Sequence, residues 1–299
     1  MEPNGVLIVN KHQGATSHDI INKIRKLYGT RRVGHTGTLD PMATGVLVVL
    51  IGRAAKAAEY LSADRKSYVA TLRLGITTDT EDTTGEVLTE SNAIPSEEEV
   101  RKAVESFLGD IKQIPPMYSA LKVGGKKLCD LARQGVNVER EARDITIHSI
   151  TCEKLSDIDY RLDVDCSSGT YIRTLCADIG NALGCGGAMA ALMRTGAGDF
   201  KIGNSFSVSE LSDMSEEKRA ELLLPIESLF EELPKIDLPP FFERLSRNGC
   251  EIYQKKIRSC FKTGERVRMR NESGDFYALG EVFDYKEGSA IKVIKLFDV

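Results

Sequence analysis

Short apolar runs and amphipathic stretches alternate along the first 230 residues, and this pattern predicts a mixture of strands and helices. Residues 5–9 and 45–51 are apolar runs of strand length, which is typical of buried strands. Residues 160–166 alternate apolar and polar side chains, as in a strand that buries one face. The pattern therefore indicates a chain in which both element types share one core.

Three stretches repeat their apolar residues at helical spacing. Residues 17–28 form the first, with Ser17 as the predicted N-cap. Ser96 and Glu99 have the spacing of a capping box and predict that a second helix begins there. A third helix is predicted over residues 172–183, directly after the alternating strand.

The periodicity weakens at two places that divide the chain. Residues 114–143 are basic and rich in proline and glycine, which predicts an insertion with one short helix near residues 128–132. Residues 233–240 are rich in proline and are interpreted as a linker. Three β-like runs follow. We therefore predict a main domain over residues 1–232 and a small β-rich domain over residues 233–299.

Composition narrows the class of protein. The chain has 299 residues, 41% of them hydrophobic and 28% charged, as in ordinary globular proteins. No apolar run approaches the length of a membrane span, and residues 1–5 have no signal-peptide character, so a cytoplasmic protein is expected. The seven cysteines include no C-x-x-C pair, which argues against structural zinc and a disulfide framework.

Charge is segregated along the sequence although the net charge is only −4. Residues 23–32 hold five basic residues and no acidic ones, and residues 244–270 hold nine basic and two acidic ones. The compensating acidic residues cluster in 79–110 and 210–232. Segregated charge of this kind creates a local positive field, which favours binding of a polyanion.

The densest candidate for chemistry is the segment of residues 31–45, RRVGHTGTLDPMATG, between a predicted helix and a buried strand. Pro41 favours an extended backbone at Asp40, whose carboxylate can then face outward from a loop on a rigid scaffold. The segment lacks the ending of a P-loop and the G-x-G-x-x-G pattern, which argues against nucleotide binding. An aspartate that only bonds its own turn remains the alternative.

Two further segments combine aromatic and basic residues. Residues 167–173 lie where a strand passes into a helix and contain Tyr171 and Arg173. Tyr68 enters a predicted strand at residues 66–70. A half-buried tyrosine and a surface arginine are the structural alternatives. Residues 79–85 imitate a calcium loop, but the glycine falls one place late and the bidentate glutamate is missing.

These segments together resemble the TruB-type tRNA pseudouridine synthases. Residues 34–45 resemble the catalytic signature of that family, residues 66–75 its tyrosine strand and residues 168–173 its third catalytic segment. Residues 116–122, PMYSALK, resemble its RNA-gripping insertion, and residues 10–17 its N-terminal motif. The resemblance covers about residues 5–200 in order. His12 departs from the pattern, since the family usually has proline there.

The resemblance implies a fold and a reaction. The fold is α+β, with a mixed, mainly antiparallel central sheet, flanking helices and a small β-rich, PUA-like C-terminal domain. The reaction is isomerisation of uridine-55 in the T loop of tRNA to pseudouridine. The glycosidic bond breaks at N1 and re-forms at C5, so the enzyme needs no cofactor and no metal.

The resemblance also implies roles for individual residues. Asp40 is the expected catalytic carboxylate, and Arg173 is expected to hold it ionised. Tyr68 is expected to stack on the uracil and to help move a proton. His35 is expected to fill the space that the extruded base leaves, and Tyr171 and Leu192 to line the pocket. The predicted RNA contacts are Lys11, Arg31, Arg32, Lys122, Lys126 and Lys127.

The expected partner is the T arm of tRNA. The chain is expected to act as a monomer, and no membrane or metal is expected to take part. A guide-RNA-dependent synthase is the nearest alternative, although relatives of that kind typically lack the insertion at 114–143. An RNA-binding or RNA-folding module with incidental catalysis is the second, and hydrolytic cleavage of a nucleoside is the third. These alternatives differ in what they do to the RNA, so products distinguish them.

Overall fold

The computed structural model describes residues 2–61, 65–119, 121–136 and 138–297. Residues 120 and 137 of the predicted insertion lie outside this described part. None of the helices in the described ranges is long and apolar enough to cross a membrane.

The described residues form strands, α-helices and three short 3₁₀ helices. The strands are β1 (Gly5–Lys11), β2 (Val33–His35), β3 (Thr44–Ile51), β4 (Lys66–Leu74), β5 (Ile76–Thr78), β6 (Val87–Glu90), β7 (Gly109–Gln113), β8 (Lys122–Val123), β9 (Lys126–Lys127), β10 (Arg143–Lys154), β11 (Asp159–Cys166), β12 (Gly187–Ala197), β13 (Phe200–Lys201), β14 (Phe206–Ser207), β15 (Lys235–Asp237), β16 (Ile252–Tyr253), β17 (Arg266–Arg270), β18 (Phe276–Tyr285) and β19 (Gly288–Leu296). The α-helices are α1 (Ser17–Leu27), α2 (Glu97–Glu105), α3 (Leu128–Ala132), α4 (Ile172–Ala182), α5 (Val208–Asp213), α6 (Glu216–Glu221), α7 (Pro240–Arg247) and α8 (Gln254–Ile257). The 3₁₀ helices are Gly52–Ala57, Ile202–Asn204 and Ile226–Leu229.

A large mixed sheet carries the predicted catalytic segments. Its strand order is β14-β1-β3-β12-β4-β11-β10-β7, with β2 paired to β3 and β13 paired to β12. All of these pairs are antiparallel except β1 with β14 and β3 with β12. The α+β fold class with a mainly antiparallel sheet and flanking helices is therefore confirmed.

The central position of β3 in the sheet explains why its residues after Thr44 are apolar or glycine. Seven of its eight residues are buried, since it lies between β1 and β12 and both of its faces are covered. β4 alternates instead, with Tyr68, Ala70, Leu72 and Leu74 buried and the residues between them partly exposed. The buried residues of β4 pack in one cluster with Ile172, Leu175 and Ile179 of α4. α4 therefore covers this face and brings its first residues to the sheet.

The start of α1 differs from the prediction. Thr16, not Ser17, is the N-cap: its side chain accepts from the Asp19 amide, and Asp19 completes the capping box. Ser17 is buried, and its hydroxyl donates to the Leu39 carbonyl at 3.1 Å and accepts from the Leu39 amide at 2.9 Å. The first turn of α1 is thus fastened to the residue before Asp40. The other two predicted helices are present as α2 and α4.

A second sheet, with the order β15-β17-β18-β19-β16, is built from residues 235–296. The segment interpreted as a linker contributes β15, which pairs in parallel with β17, so the linker interpretation is wrong for residues 235–237. Phe230 packs against Phe276 and Phe297, with ring centroids 6.1 and 5.8 Å apart. The boundary at residues 232–233 and the PUA-like assignment stay predictions.

Part of the basic run at residues 244–270 is used inside the protein. Arg268 and Arg270 both bond the Glu227 carboxylate, at 3.1 and 2.6 Å. Arg247 pairs with Glu243 at 2.8 Å, and Arg266 pairs with Glu281 at 3.6 Å. The basic residues of the run that remain exposed are Arg244, Lys255, Lys256, Arg258 and Lys262.

Candidate active site

The predicted catalytic aspartate lies in the loop between β2 and β3. The Asp40 carbonyl accepts from the Ala43 amide at 3.0 Å, which closes a turn around Pro41. Arg173, the second residue of α4, approaches the carboxylate: its Nε is 2.9 Å from Oδ2, and its Nη2 is 3.4 Å from Oδ1. Two contacts to two oxygens form a forked ion pair between residues 133 positions apart.

Backbone carbonyl groups fix Arg173 on its other sides. The side chain is only 6% exposed. Nη1 donates to the Thr80 carbonyl at 3.0 Å, and Nη2 donates to the Tyr118 carbonyl at 2.7 Å. The Asp82 carboxylate lies 3.9 Å from Nη1. Because these acceptors surround a planar fork, the guanidinium has one orientation, in which its edge faces Asp40.

The loop of residues 79–85, considered above only as a calcium-loop imitation, therefore belongs to this site. Asp82 is 5% exposed, and its Oδ1 accepts from the Thr84 amide, the Thr84 hydroxyl and the Thr80 hydroxyl, at 2.5–2.9 Å. These bonds give the loop a defined shape, which places the Thr80 carbonyl at Arg173. The aspartate and threonine content was the signal, since such residues bond nearby backbone in turns.

Glu81 occupies a strained backbone conformation in the same loop. Its φ of 64° lies in the left-handed region, which is uncommon for residues other than glycine. Its carbonyl accepts from the Met189 amide at 3.0 Å, and its carboxylate accepts from the Thr174 hydroxyl at 2.5 Å. Burial raises the pKa of Glu81. This strained conformation is held in place by hydrogen bonds to α4 and β12, which carry Arg173 and Leu192.

Tyr68 and Leu192 lie on one face of the sheet beside this pair. Tyr68 is directly opposite Arg194 on β12, and Leu192 is opposite Ala70. Both predicted residues are 8% exposed and pack in one cluster with Leu39, next to Asp40. Burial raises the pKa of Tyr68, which keeps its phenol protonated at neutral pH, and the Arg194 guanidinium opposes this shift.

Tyr171 is the N-cap residue of α4 and is half-buried. The buried Gln113 side chain clamps its backbone: Gln113 Oε1 accepts from the Tyr171 amide at 2.8 Å, and Nε2 donates to its carbonyl at 3.1 Å. Burial raises the pKa of Tyr171. Gln113 thus fixes the backbone of the residue that leads into Arg173, and no side chain of the described residues caps the first amides of α4.

His35 ends β2 and leads into the loop of Asp40. It is partly buried, and its Nδ1 is buried with no hydrogen-bond partner among the described residues. Burial lowers the pKa of His35, and the positive charge of Arg194 lowers it further. The imidazole is therefore neutral near pH 7, which suits a ring that replaces a base by stacking.

Lys11 is not at the surface, which contradicts its predicted contact with RNA. The residue is fully buried at the end of β1. Its ammonium donates to the carbonyls of His12, Ala15 and Pro41 at 3.0, 2.7 and 3.3 Å. An ammonium has three protons, so this geometry leaves none for a phosphate. Lys11 instead joins the N-terminal motif to the turn after Asp40.

The remaining predicted RNA contacts lie on the surface or on the insertion. Arg31 and Arg32 are exposed before β2, where Arg32 lies 4.0 Å from the exposed Glu2 carboxylate. Lys122 and Lys127 are opposite each other on the β8–β9 hairpin, and Lys126 is exposed beside them. Their proposed contact with RNA stays a prediction.

The assembled site holds the partly exposed Asp40 carboxylate against a buried guanidinium, with a protonated phenol nearby. Such a carboxylate can act as a nucleophile or a base, and the phenol can exchange a proton. Within the described ranges, no three His, Cys, Asp or Glu side chains are grouped as a metal ion would need. The roles assigned to the individual residues stay predictions.

The sequence is similar to known protein families over most of its length. Residues 25–172 match the family model described as TruB family pseudouridylate synthase (N terminal domain). Residues 173–231 match the model described as tRNA pseudouridylate synthase B C-terminal domain. The chain is 43% identical over 294 residues to tRNA pseudouridine synthase B of Clostridium tetani, covering 98% of this chain and 99% of that protein. It is 46% identical over 250 residues to the protein of that name from Alkaliphilus oremlandii, covering 84% and 83%.

Solved structures share the fold. A chain of a Cbf5-Nop10-Gar1 complex superposes with a TM-score of 0.75 at 26% identity, over 99% of this chain and 85% of that one. A chain of an H/ACA RNP bound to a substrate RNA superposes with a TM-score of 0.75 at 24% identity, over 100% and 86%. The second match bears on architecture alone.

Proposed function

This chain belongs to the TruB family of pseudouridylate synthases, and we propose that it isomerises uridine-55 in the T loop of tRNA to pseudouridine. The observation that carries the proposal is the forked contact between Arg173 and Asp40 at 2.9 Å, which joins two segments of the family signature. The curated relatives named above are tRNA pseudouridine synthases, which supports tRNA as the substrate.

The reaction needs little besides a placed carboxylate. The N1–C1′ bond breaks, the uracil turns, and C5 bonds to C1′; C5 then loses a proton, and N1 gains one. Atoms balance without water or a redox partner. The Asp40 carboxylate serves whether it attacks C1′, attacks C6 or removes the 2′ proton, since each first step needs an ionised oxygen pair beside the ribose.

Arg173 and Tyr68 set the conditions for that step. The guanidinium orients the carboxylate, and its other bonds prevent it from turning away. The buried Tyr68 ring offers a face for stacking on the uracil, and its protonated phenol can donate a proton. Leu192 and Tyr171 line the same pocket.

The uridine must leave its stack to reach this site. Asp40 retains 36% of its side-chain exposure, but Tyr68 and Arg173 beside it are buried, so an intact RNA loop cannot present a base to all three. The enzyme therefore extrudes the nucleotide, at a cost of a few kcal/mol. The neutral His35 ring takes the vacated place in the RNA.

We propose that the chain acts alone, as a monomer, on the T arm. The insertion supports this, because its hairpin carries Lys122, Lys126 and Lys127 and its base supplies the Tyr118 carbonyl to Arg173. A guide RNA is then unnecessary. Conversion of a T-arm RNA by the purified chain, without other RNA or protein, separates this proposal from the guide-dependent alternative.

Asp40→Asn tests the function. Tritium release from a T-arm RNA labelled at C5 should fall by about a hundredfold or more, as for a lost acid–base or nucleophilic group, while RNA binding stays near normal. Asp157→Asn, at a side chain 98% exposed in a distant turn, is the matched control.

Three outcomes contradict the proposal. Turnover above a few per cent in the Asp40 variant removes Asp40 from the chemistry. A loss of RNA mass with free uracil shows hydrolysis instead of isomerisation. Undiminished product from an RNA with cytidine in place of the target uridine shows that another position is modified.

A further inference from the structure

Gly37, three residues before Asp40, lies between two cationic side chains. A Cβ built on Gly37 would lie 3.5 Å from Arg194 Nη1 and 3.7 Å from Lys66 Nζ, and these two side chains supply its three nearest atoms. The absence of a side chain at residue 37 thus leaves a space that two positive groups border. The mechanism described above does not use this space.

Arg194 is a buried charge without a carboxylate. It is 2% exposed, and among the described residues no carboxylate oxygen lies within 4.0 Å of its guanidinium. Nε donates to the Val46 carbonyl at 2.6 Å, and Nη2 donates to the Gly37 carbonyl at 3.1 Å. These bonds fix the guanidinium and turn Nη1 toward the space over Gly37. A buried charge is costly unless it is paired, which points to an anion that arrives from outside.

Lys66 brings the second positive group from the first residue of β4. Its ammonium donates to the Ser168 hydroxyl at 2.9 Å, in the turn before α4. Lys66 and Tyr68 are two residues apart on one strand, so they share a face of the sheet, with about 7 Å between their positions. The distance between an anion over Gly37 and a base at Tyr68 would therefore be roughly the backbone length of one nucleotide.

Two carboxylates of the described residues near these segments have other partners. Asp40 faces Arg173 at 2.9 Å, and Asp165, on β11 beside Lys66, pairs with Arg65 at 3.0 Å. The space therefore adjoins a guanidinium, an ammonium and a hydroxyl, which are groups that an anionic acceptor binds. Phosphodiester oxygens are acceptors of this kind, carry the required negative charge and are present at every nucleotide of an RNA.

We propose that Arg194, Lys66 and Ser168 form a phosphate-binding site over Gly37, which holds the phosphodiester adjacent to the extruded uridine. The inference rests on the proposed function for the identity of the RNA. The site fixes the backbone of the substrate while Tyr68 and Asp40 act on its base and sugar. It also gives Arg194 an anionic partner, which no carboxylate of the described residues supplies within 4.0 Å.

Lys66→Gln tests the site by binding, in an Asp40→Asn background so that turnover does not alter the RNA. Affinity for a T-arm stem-loop should fall about tenfold to a hundredfold, and the slope of log K against log salt should decrease by about 0.7. Lys102→Gln removes the same charge from an exposed ion pair on α2 and should leave both values unchanged.

A neutral methylphosphonate linkage on the 5′ or the 3′ side of the target uridine identifies the phosphate. At one of these two linkages, the modification should weaken binding by Lys66 protein about tenfold and cause no further loss with the Lys66→Gln variant. Additive losses at both linkages overturn the proposal, as does Lys66→Gln binding that equals that of the Lys102→Gln control.

Gly37→Ala gives an independent test, because it fills the space without removing a charged side chain from the fold. The added methyl group meets the two cations at ordinary contact distances, so the loop is preserved while the space is filled. RNA affinity should fall as in Lys66→Gln, and undiminished affinity overturns the proposal. Failure of the wild-type chain to convert the T-arm RNA would instead refute the proposed function, because the binding tests need no product.

Discussion

At the scale of single residues, Arg173 explains why the site needs arginine. Its guanidinium contacts the Asp40 carboxylate and two backbone carbonyls at once, from three separate segments of the chain. Lysine offers a point charge that cannot span these acceptors in fixed geometry. The planar fork therefore couples the carboxylate to the loop of residues 79–85 and to the base of the insertion.

His35 gives a pH prediction. Burial lowers its pKa below 6.5, so on acidification the unfolded chain binds a proton before the folded chain does. Stability contributed by this residue is complete above about pH 6.5 and is lost as the pH falls toward the lowered value. The urea midpoint of the wild type should therefore drop more between about pH 7.5 and about pH 5.5 than that of His35→Gln.

The comparison of the two proteins isolates His35, because the other titrating groups are common to both. Equal drops in the two midpoints would show that the imidazole is protonated as easily in the fold as in the unfolded chain. A larger drop in the urea midpoint of the variant would show that the folded chain binds the His35 proton more tightly than the unfolded chain does.

The sequence predicts that Asp40, Tyr68 and Arg173 share a site because they lie in recognisable motifs, and the fold brings them together. It does not predict the carbonyls of Thr80 and Tyr118, since every residue carries a carbonyl and only the fold selects which ones meet. Lys11 shows the opposite case. Its place in a family motif predicts an RNA contact, although its length lets it reach three buried carbonyls instead.

At the scale of elements, the parallel contact between β3 and β12 depends on Gly45. This residue has φ +98°, and a Cβ on it would lie 2.2 Å from the Arg194 carbonyl oxygen. Gly45→Ala should therefore lower the free energy of unfolding by about 3 kcal/mol or more. Chemical denaturation measures the loss.

Gly203→Ala is the matched control for that substitution. A Cβ at Gly203 meets nothing within 4 Å, and this glycine has no left-handed φ. Its replacement should leave stability unchanged or slightly improved. A loss at Gly45 no larger than that at Gly203 would mean that the two strands can separate without cost.

Local chemistry predicted some elements and missed others. The capping box placed α2 at Ser96, and α3 lies at the predicted residues 128–132. No strand was predicted at residues 187–197, although β12 is central to the site. Its glycines and alanines lack both alternation and strong β preference, and its neighbours in the sheet decide its conformation.

At the scale of the whole molecule, the two sheets share a core. Val6, Ile8 and Val46 of the large sheet lie in one apolar cluster with Phe230, Leu279 and Phe297. Removing residues 235–297 would therefore expose the main sheet as well as remove basic side chains. Charge substitutions at Lys255 and Lys256, which are exposed, are the cleaner way to ask whether this region contacts RNA.

Glu227 fastens the second sheet electrostatically. Its carboxylate, 14% exposed, bonds Arg268 and Arg270, which are 13% and 21% exposed. Glu227→Ala leaves two largely buried cations without this carboxylate and should cost about 3 kcal/mol of stability. Glu98→Ala breaks an exposed pair with Lys102 and should cost nothing measurable. Similar denaturation midpoints for the two variants would contradict the assignment.

The count of basic residues predicts polyanion binding, but it does not show which of these residues are paired with glutamates. Within residues 244–270, Arg247, Arg266, Arg268 and Arg270 are paired with glutamates, two of them with Glu227 across the chain. Such pairings depend on tertiary contacts, which a linear sequence does not display. The positive field that this run offers to a polyanion is therefore smaller than the count of nine basic residues predicts.

The shared core determines when, during synthesis, the main sheet can bury its apolar surface. Asp40 and Arg173 leave the ribosome long before Phe297, whose ring covers Phe230 beside the main sheet. Until translation reaches that phenylalanine, a nascent chain holds both proposed catalytic residues yet displays bare apolar surface. We expect chaperones to engage it during this interval, and a message cut short before the codon for Phe297 to yield insoluble protein.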